Sequence, residues 1–281
     1  MFDVFTYPVS AVLWLWHRVF GAVFGPASGI AWALAIAFLV FTIRALLIKP
    51  ALHQLRSARR TQQLAPQVAV IRKKYRTDRN RQAAEMQKLY ADNGVSMFGG
   101  IGPMLLQLPV VLSLYGVLRG FAPGATSNRI FDRSGVDSFL GAHLFGARIG
   151  NWISQPAADL LQAGTGRPEL LAVGLPLILL AGAATFLSMR LSMRRSALLR
   201  ADPQVSAISR LMPYLAPLGL LVSGLLFPVP LALLLYFLAT NVWTLGQTHF
   251  LGRKVDREFS AAGPPKVKRP SRIRQSPTFG R

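Results

Sequence analysis

The sequence contains no cysteine and has only 11 acidic residues among its 281. Without cysteine the chain has no disulfide, thiol nucleophile, cysteine-ligated metal or lipid-anchored N-terminal cysteine. The four histidines, at positions 17, 53, 143 and 249, lie too far apart in sequence for metal-ligand spacing. Glycine-rich phosphate-binding loops and nucleophile elbows are also missing from the sequence. We therefore expect no enzyme activity and no cofactor.

The chain is strongly basic, and its charge is segregated from its apolar residues. Lys and Arg number 32, which gives a formal net charge of +21, yet 52% of the residues are hydrophobic. A soluble nucleic-acid-binding protein of this charge would spread its basic residues over the surface and bury fewer hydrophobic ones. Here long apolar runs alternate with basic blocks, which is typical of a multi-pass membrane protein. The predicted fold class is an all-α polytopic membrane protein.

Five apolar segments predict five transmembrane helices, since about 20 apolar residues cross a bilayer. The second segment contains Pro103 and Pro109, which a helix bundle tolerates because neighbouring helices satisfy the freed backbone groups. The fourth and fifth segments are joined by the short uncharged turn FPVP. The five segments are 30–49, 98–121, 169–189, 211–227 and 229–250.

The N-terminal segment, residues 1–29, contains a shorter apolar stretch at 8–25. On a helix, small or polar side chains fall on one side of this stretch and large apolar side chains occupy the rest. We predict an amphipathic helix that lies in the membrane interface, and a short signal-anchor that crosses the bilayer is the alternative. The polar side comprises Ser10, Trp14, His17, Arg18 and Gly21.

Region 50–95 is basic, with ten Lys and Arg against three acids, and it has helical periodicity. Pro66 is expected to interrupt its first helical arm. The sequence TDRN at 77–80 breaks the pattern, and a second helix is predicted over 81–92, ending at Asn93-Gly94. The region therefore predicts an antiparallel helical hairpin outside the membrane. The apolar repeat of its first arm is Leu64, Val68, Ile71 and Tyr75.

The distribution of basic residues predicts the orientation of the chain. With five spans, the hairpin 50–95, the loop 190–210 and the tail 252–281 share one side and hold 24 Lys and Arg residues. The loop 122–168 on the other side is nearly balanced in charge. The positive-inside rule therefore places the hairpin, the 190–210 loop and the C-terminus in the cytoplasm, with the 122–168 loop outside. The core is then residues 30–251, and the tail is predicted to be disordered.

Arg44 lies within the first predicted span, where a charged side chain costs roughly 2.5–3.5 kcal/mol at the helix centre on insertion scales. One interpretation is that Arg44 extends to the cytoplasmic interface and only adds to the positive-inside bias. The other is that it faces a polar cavity in the bundle. No acidic residue lies inside the spans, apart from Glu169 at a boundary, so Arg44 has no obvious internal partner and is available to a carboxylate supplied by another molecule.

Other polar residues in the spans also have two interpretations. Ser and Thr in membrane helices commonly bond their own backbone or a neighbouring helix. Gln107 and Asn241 are more costly to bury, but each is also compatible with contacts between helices. Tyr236 and Trp243 suit an aromatic belt, packing or ligand contact. The remaining polar candidates are Thr42, Ser113, Thr185, Ser188, Ser223 and Thr240.

Several sequence features occur together in a characteristic order. A span with an Arg near its end is followed by Lys-Pro and by the basic hairpin containing APQVAVIRKKYRTDRNRQAAEMQKLYADNG. GPMLLQLPVVLSLYGVLR comes next, and FPVPLALLLYFLATNVWTLGQTHF stands near the end. This ordered set, over about 30–121 and 168–252, resembles the YidC-type membrane protein insertases of the bacterial plasma membrane. The basic tail and the lack of a large outer domain resemble the short actinobacterial or Gram-positive forms.

The resemblance implies five membrane helices around a polar groove that opens to the cytoplasm and the lipid. In this family the groove arginine matches Arg44, and the proline of the second span matches Pro103 or Pro109. The family's final-helix motifs Leu-Tyr-Trp and Ser-Asn match Leu235-Tyr236-Phe237 and Thr240-Asn241. This chain therefore has Phe in place of the family's Trp and Thr in place of its Ser. Gly100-Ile101-Gly102 stands where the family has Gly-Cys. The residues expected to form the groove are Arg44, Gln107, Tyr236, Thr240 and Asn241, with Pro103 and Pro109 permitting bending of the second span.

The implied function is insertion and folding of nascent membrane proteins without nucleotide hydrolysis, alone or beside the Sec translocon. The basic tail and loops are expected to contact ribosomal RNA, or alternatively anionic lipid headgroups. A small transporter or channel is the alternative function, but the spans show no inverted repeat and no paired carboxylates. A structural assembly scaffold is a third possibility.

Overall fold

A computed structural model describes residues 3–95, 102–195 and 203–261, and within them the regular elements are helices and one small β-hairpin. Most polar backbone groups are thereby satisfied within their own segment, as a lipid environment requires. The helices are α1 Asp3–Phe24, α2 Gly29–Leu46, α3 Ile48–Gln63, α4 Ala65–Lys74, α5 Arg79–Asp92, α6 Gly102–Gly120, α7 Arg133–Gly141, α8 Ala157–Gln162, α9 Arg167–Arg195, α10 Pro203–Leu226 and α11 Leu231–Ala261; the strands are β1 His143–Leu144 and β2 Ala147–Arg148.

The five predicted spans fall on α2, α6, α9, α10 and α11. In the described residues, three helical segments are long and apolar enough to cross a membrane: Gly29–Leu46, Arg167–Leu191 and Leu231–Ala261. α6 and α10 contain the shorter apolar segments Leu108–Gly120 and Tyr214–Leu226. α11 packs against both α2 and α9, and α9 also packs against α10. The central core between these helices includes Leu39, Leu114, Ile178, Leu231 and Leu234.

The face of helix α1 that packs against α2 and α6 is mixed, because it buries the apolar Val9 and Leu13 together with polar residues. Ser10, His17 and Gly21, three members of the predicted polar side, are buried, whereas Arg18 is exposed. Large apolar side chains lie on the opposite, exposed surface, including Val4, Phe5, Leu15, Val19 and Val23. A helix with this arrangement suits an environment in which lipid contacts the exposed face.

The basic region forms an antiparallel pair of helical arms. The first arm is divided at Leu64 into α3 and α4, with Pro66 at the start of α4, as the sequence predicts. Asp78 caps α5 by accepting a hydrogen bond from the Arg81 backbone N–H at 3.0 Å. Gly94, with φ of 62°, ends the second arm in the left-handed region that favours glycine. A small apolar cluster holds the arms together: Leu64, Val68, Leu89, Tyr90 and Val95.

The segment between α6 and α9, residues 122–166, is folded, and we call it the cap. It contains α7, the β1–β2 hairpin and α8, where the sequence predicted only a loop. Asn128 Nδ2 donates to the Val117 carbonyl of α6 at 2.7 Å. At the other end, the Arg167 guanidinium donates to the carbonyls of Ile153 and Gln155. These bonds attach the cap to the first turn of α9 and the last turn of α6.

Two predicted boundaries require correction. The tail was predicted to be disordered from residue 252, but α11 continues to Ala261, and residues 262–281 lie outside the described part. Residues 190–210 were predicted to be a loop, but both ends of this segment are helical. α9 reaches Arg195, and α10 begins at Pro203. In both places helix formation continues past the end of the apolar run.

Candidate functional site

Arg44 lies in the last turn of α2, on the side of that helix that meets α11. Its side chain is half-buried and within electrostatic reach of the Tyr236 phenol, which is only 1% exposed. Among the described residues, no carboxylate lies within ion-pair distance of the Arg44 guanidinium. This geometry favours the interpretation in which Arg44 faces the bundle over the one in which it extends to the interface.

Aromatic side chains join α2 to its neighbours α1 and α11 along the residues that precede Arg44. Trp16 Nε1 of α1 donates to Thr42 Oγ1 at 2.9 Å, and Thr42 Oγ1 donates to the Phe38 carbonyl at 2.8 Å. The rings of Phe41 and Trp243 lie 5.6 Å apart between centroids, which connects α2 to α11. The described surroundings of Arg44 therefore include the buried Tyr236 ring of α11, and the Phe41–Trp243 contact joins the same two helices.

Two of the α11 candidates, Tyr236 and Thr240, lie on one helical face, because they are four residues apart, whereas Asn241 lies to one side of that face. The Asn241 side-chain amide donates to the Phe237 carbonyl at 2.9 Å, so this amide is occupied within its own helix. Thr244 behaves in the same way, donating to the Thr240 carbonyl at 2.8 Å. Of these residues, Tyr236 and Thr240 are the ones whose side chains remain directed at the bundle interior.

Buried hydroxyls in the spans divide into two groups. Thr185 and Ser223 donate to carbonyls of their own helices, which agrees with the self-bonding interpretation. Ser113, Ser188 and Thr240 have buried hydroxyl oxygens with no hydrogen-bond partner in the part of the chain that the structure describes. An unsatisfied buried polar group costs roughly 1–3 kcal/mol. These three hydroxyls are therefore suited to hydrogen bonding with water or with a bound polar group.

The second predicted span contributes less to the described site. Pro103 and Gln107 lie in α6, but their side chains are outside the described residues, so their relation to Arg44 stays a prediction. Pro109 lies inside α6 and is half-buried. A proline there removes one backbone hydrogen bond and favours a local bend.

A buried aromatic cluster at the opposite end of α2 was not predicted from the sequence. Trp32 contacts the cap rings Phe131 and Phe139 at centroid distances of 5.5 and 5.0 Å, and Phe121 stacks on Phe139 at 4.3 Å. His17 of α1 stacks on Trp32 at 3.9 Å. In the sequence, the only indication of this cluster is the group of Phe residues in the cap. Their positions do not indicate that Trp32 packs against them.

Hydrogen bonds fix this aromatic cluster in place. Trp32 Nε1 donates to Ser138 Oγ at 3.1 Å, and Ser138 Oγ donates to the Pro26 carbonyl at 2.6 Å. His17 Nε2 lies 2.8 Å from the same carbonyl oxygen. Burial lowers the pKa of His17, and the bond to Pro26 opposes part of that shift. The cluster joins α1, α2 and the cap into one packed region at the end of the bundle far from Arg44.

Comparison with known proteins identifies the family. A family profile described as "60Kd inner membrane protein" matches residues 23–258. The membrane protein insertase YidC of Mycobacterium tuberculosis (strain ATCC 25618 / H37Rv) is 41% identical over 290 residues, which cover 96% of this chain and 79% of that protein. The chain belongs to the YidC membrane protein insertase family. This confirms the resemblance seen in the sequence.

Two further relatives extend the family match. The YidC insertase of Mycolicibacterium paratuberculosis is 41% identical over 292 residues, covering 96% of this chain and 82% of the relative. That of Streptomyces avermitilis is 34% identical over 253 residues, covering 90% and 58%. The family match includes Arg44, the basic hairpin, the cap and α11 up to Glu258.

Proposed function

We propose that this chain inserts nascent membrane proteins into the bacterial plasma membrane through a polar groove that opens to the cytoplasm. The observation that carries the proposal is the position of Arg44, half-buried on the bundle side of α2 beside the buried Tyr236. A guanidinium without a carboxylate partner in the described bundle attracts acidic and polar segments of a substrate. The buried hydroxyls of Ser113 and Thr240 add further hydrogen-bonding capacity.

The groove would lower the barrier for moving a short polar segment partway into the bilayer. The apolar helix of the substrate would then leave along the lipid-facing wall, and its transfer out of water drives the step. No nucleotide is needed, because the final inserted state is lower in free energy than the starting state. The protein contributes positioning, hydration and one fixed positive charge.

Closure of the groove at the outer end is supported by the aromatic cluster. Trp32 is fully buried, and Phe131 and Phe139 pack against it from the cap. A packed apolar region of this kind leaves no space for a continuous aqueous path. We therefore propose that water enters from the Arg44 end of the bundle only.

An interfacial position for α1 is supported by its contacts with the cap along its length. Arg129 stacks over the Tyr7 ring at 5.8 Å, the Ile130 N–H lies 3.5 Å from Ser10 Oγ, and His17 lies beside Ser138. Tyr7 and His17 are about 15 Å apart along a helix axis. A helix that touches the cap at both positions lies along it, so α1 borders the outer surface while five other helices cross.

The remaining partners are proposed from charge and position. The basic hairpin α3–α5 would receive the nascent segment on the cytoplasmic side, in the orientation given by the positive-inside rule. The Sec translocon, ribosomal RNA and anionic lipids are the expected partners, the last two through the basic residues within 252–281 and 190–210. Flexibility at Pro103 and Pro109 would adapt the groove to different substrates.

Charge reversal at Arg44 tests the proposed function. In reconstituted vesicles, Arg44→Glu should impair insertion of a substrate with an acidic translocated tail, because the groove would repel it. Arg44→Lys should retain most insertion, since it keeps the positive charge. A substrate whose tail lacks acidic residues is the matched control. Equal insertion of the acidic substrate by both variants would show that the charge at this position does not act on the substrate.

The contact of a stalled nascent chain provides a second test. Photo-cross-linking from the substrate should reach the region around Arg44 and Tyr236 during insertion. Cross-links that form only with finished, assembled membrane proteins would instead indicate a structural scaffold.

A further inference from the structure

The tip of the cap hairpin presents an aromatic side chain to its surroundings. Phe145 and Gly146 form a two-residue turn between β1 and β2, and both have positive φ, 48° and 87°. Turns of this geometry favour Asn, Asp or Gly, because a bulky side chain at positive φ is strained. Phe145 is also 82% exposed, the highest value among the described large hydrophobic side chains. The exposed ring is unfavourable in water and would be stabilised by apolar surroundings, and a strained residue retained at such a position points to a function.

The hairpin is fixed at the ends of two membrane-span candidates. Leu144 and Ala147 are buried, and the His143 backbone packs so closely on Gly29, the first residue of α2, that no larger residue fits there. Gly146 packs against Glu169, in the first turn of α9. The position of the tip is therefore set by the start of α2 and the start of α9.

The ends of these helices mark the surface of the bilayer. α2 has 18 residues, and at 1.5 Å per residue it is about as long as the hydrocarbon core is thick. Its first residue therefore lies at the boundary between acyl chains and headgroups. A hairpin attached to that residue and to the first turn of α9 lies at the same depth.

We infer that Phe145 inserts into the outer leaflet, where the hairpin anchors the cap to phospholipid. The base of the hairpin carries a cationic group suited to phosphate, since Arg148 Nε donates to His143 Nε2 at 3.3 Å and His143 is exposed. A lipid fits better than a protein partner. One aromatic ring supplies about 150–250 Å² of contact, far below the roughly 800 Å² per partner of a stable protein interface. The inference depends on α2 and α9 crossing the bilayer and does not depend on the insertase function.

The lack of cysteine in the chain allows a direct test. Phe145→Cys is labelled with a fluorophore and reconstituted in vesicles of phosphatidylethanolamine and phosphatidylglycerol. Lipids with a spin label high on the acyl chain should quench the fluorescence, and iodide in the water should not. Ala158→Cys, at an exposed position on α8 of the same cap, is the comparison site and should be quenched by iodide. Quenching of the Phe145 site by iodide, or shielding from both quenchers, would overturn the inference.

A second variant separates lipid contact from hairpin folding. Phe145→Asn places a residue that favours positive φ in the turn, so hydrogen exchange of residues 143–149 should stay as slow as in the parent protein or become slower. Cross-linking of a photoreactive phospholipid to the hairpin should be lost in this variant. A hairpin that keeps the lipid cross-link without the Phe145 ring, or a parent protein that forms no such cross-link, contradicts the inference.

Discussion

Arg56 of α3 and Glu258 of α11 are joined by two parallel hydrogen bonds, of 2.9 and 3.0 Å, although 202 residues separate them in the sequence. One helical turn away, Arg59 Nε lies 3.5 Å from an Asp256 carboxylate oxygen. The first arm of the basic hairpin is thus tied to the part of α11 that extends past its apolar segment. This paired link, which we call the α3–α11 link, sets where the hairpin stands relative to the bundle.

Charge exchange across the α3–α11 link tests whether it positions the hairpin. Glu258→Arg should loosen α3, because it places like charges opposite Arg56 and Arg59. The double variant Arg56→Glu with Glu258→Arg should restore the position, since it recreates an ion pair with reversed polarity. Distances between spin labels on α3 and α11 provide the measurement. Similar distance distributions in all three proteins would show that the link has no positioning role.

Acid should release the α3–α11 link. The hydrogen bonds from Arg56 lower the pKa of Glu258 below its ordinary value, so the folded state favours the carboxylate. The link therefore contributes fully above the unfolded pKa of Glu258, about 4.3, and is lost as the pH falls through the lower folded value. The protection of α3 amides, as exchange rates relative to those of an unfolded chain at the same pH, should fall over that range in the parent protein. Glu258→Gln should show low protection at neutral pH already, with little further change on acidification.

His17 should make the end of the bundle that carries the cap sensitive to mild acid. Because burial lowers the pKa of His17, the folded protein binds fewer protons there than the unfolded chain. Stability is then unaffected well above the unfolded pKa of about 6.5 and falls as the pH decreases through the lower folded value. The thermal unfolding midpoint of the parent protein should drop over this range more than that of His17→Gln. His53→Gln, at an exposed position in α3, should follow the parent protein.

Removal of the Trp32 side chain should be strongly destabilising. Trp32 is fully buried against Phe131, Phe139 and His17, and large-to-small core substitutions of Trp cost about 3–5 kcal/mol. Trp32→Ala should therefore lower the unfolding midpoint in detergent far more than Trp32→Phe, which keeps a ring but loses the bond to Ser138. Equal midpoints for the two variants would indicate that the cluster contributes little to the packing of the cap.

Local chemistry in the sequence was enough to predict the helical hairpin and the positions of the apolar helices. Pro66 interrupts the first arm and Gly94 ends the second arm where expected, whereas the cap at Asp78 starts α5 two residues before the predicted helix. The end of α11 was missed because residues 252–261 are polar, and the Arg56 that pairs with Glu258 lies far away in sequence. Periodicity and composition report nothing about such distant partners.

The fold of the cap and the direction of the Arg44 side chain also depend on residues that are distant in sequence, so neither was predicted from the sequence. α7 and α8 are short helices whose buried residues, Val136 and Leu160, are covered by other parts of the chain. For Arg44, helical spacing left two directions open, and the proximity of Tyr236 on α11 favours the one that faces the bundle. Side-chain direction in a bundle depends on how the helices dock, which a single sequence does not specify.

The most direct test of the account is the accessibility of position 44 from the cytoplasm. Arg44→Cys creates the one cysteine of the chain, and a charged, membrane-impermeant thiol reagent is then applied to inside-out and right-side-out vesicles. Leu39→Cys, at a buried core position in the same helix, is the control. A hydrated pocket open to the cytoplasm predicts rapid labelling at position 44 in inside-out vesicles only, with position 39 unreactive. Failure of position 44 to react from the cytoplasmic side would contradict the proposed groove.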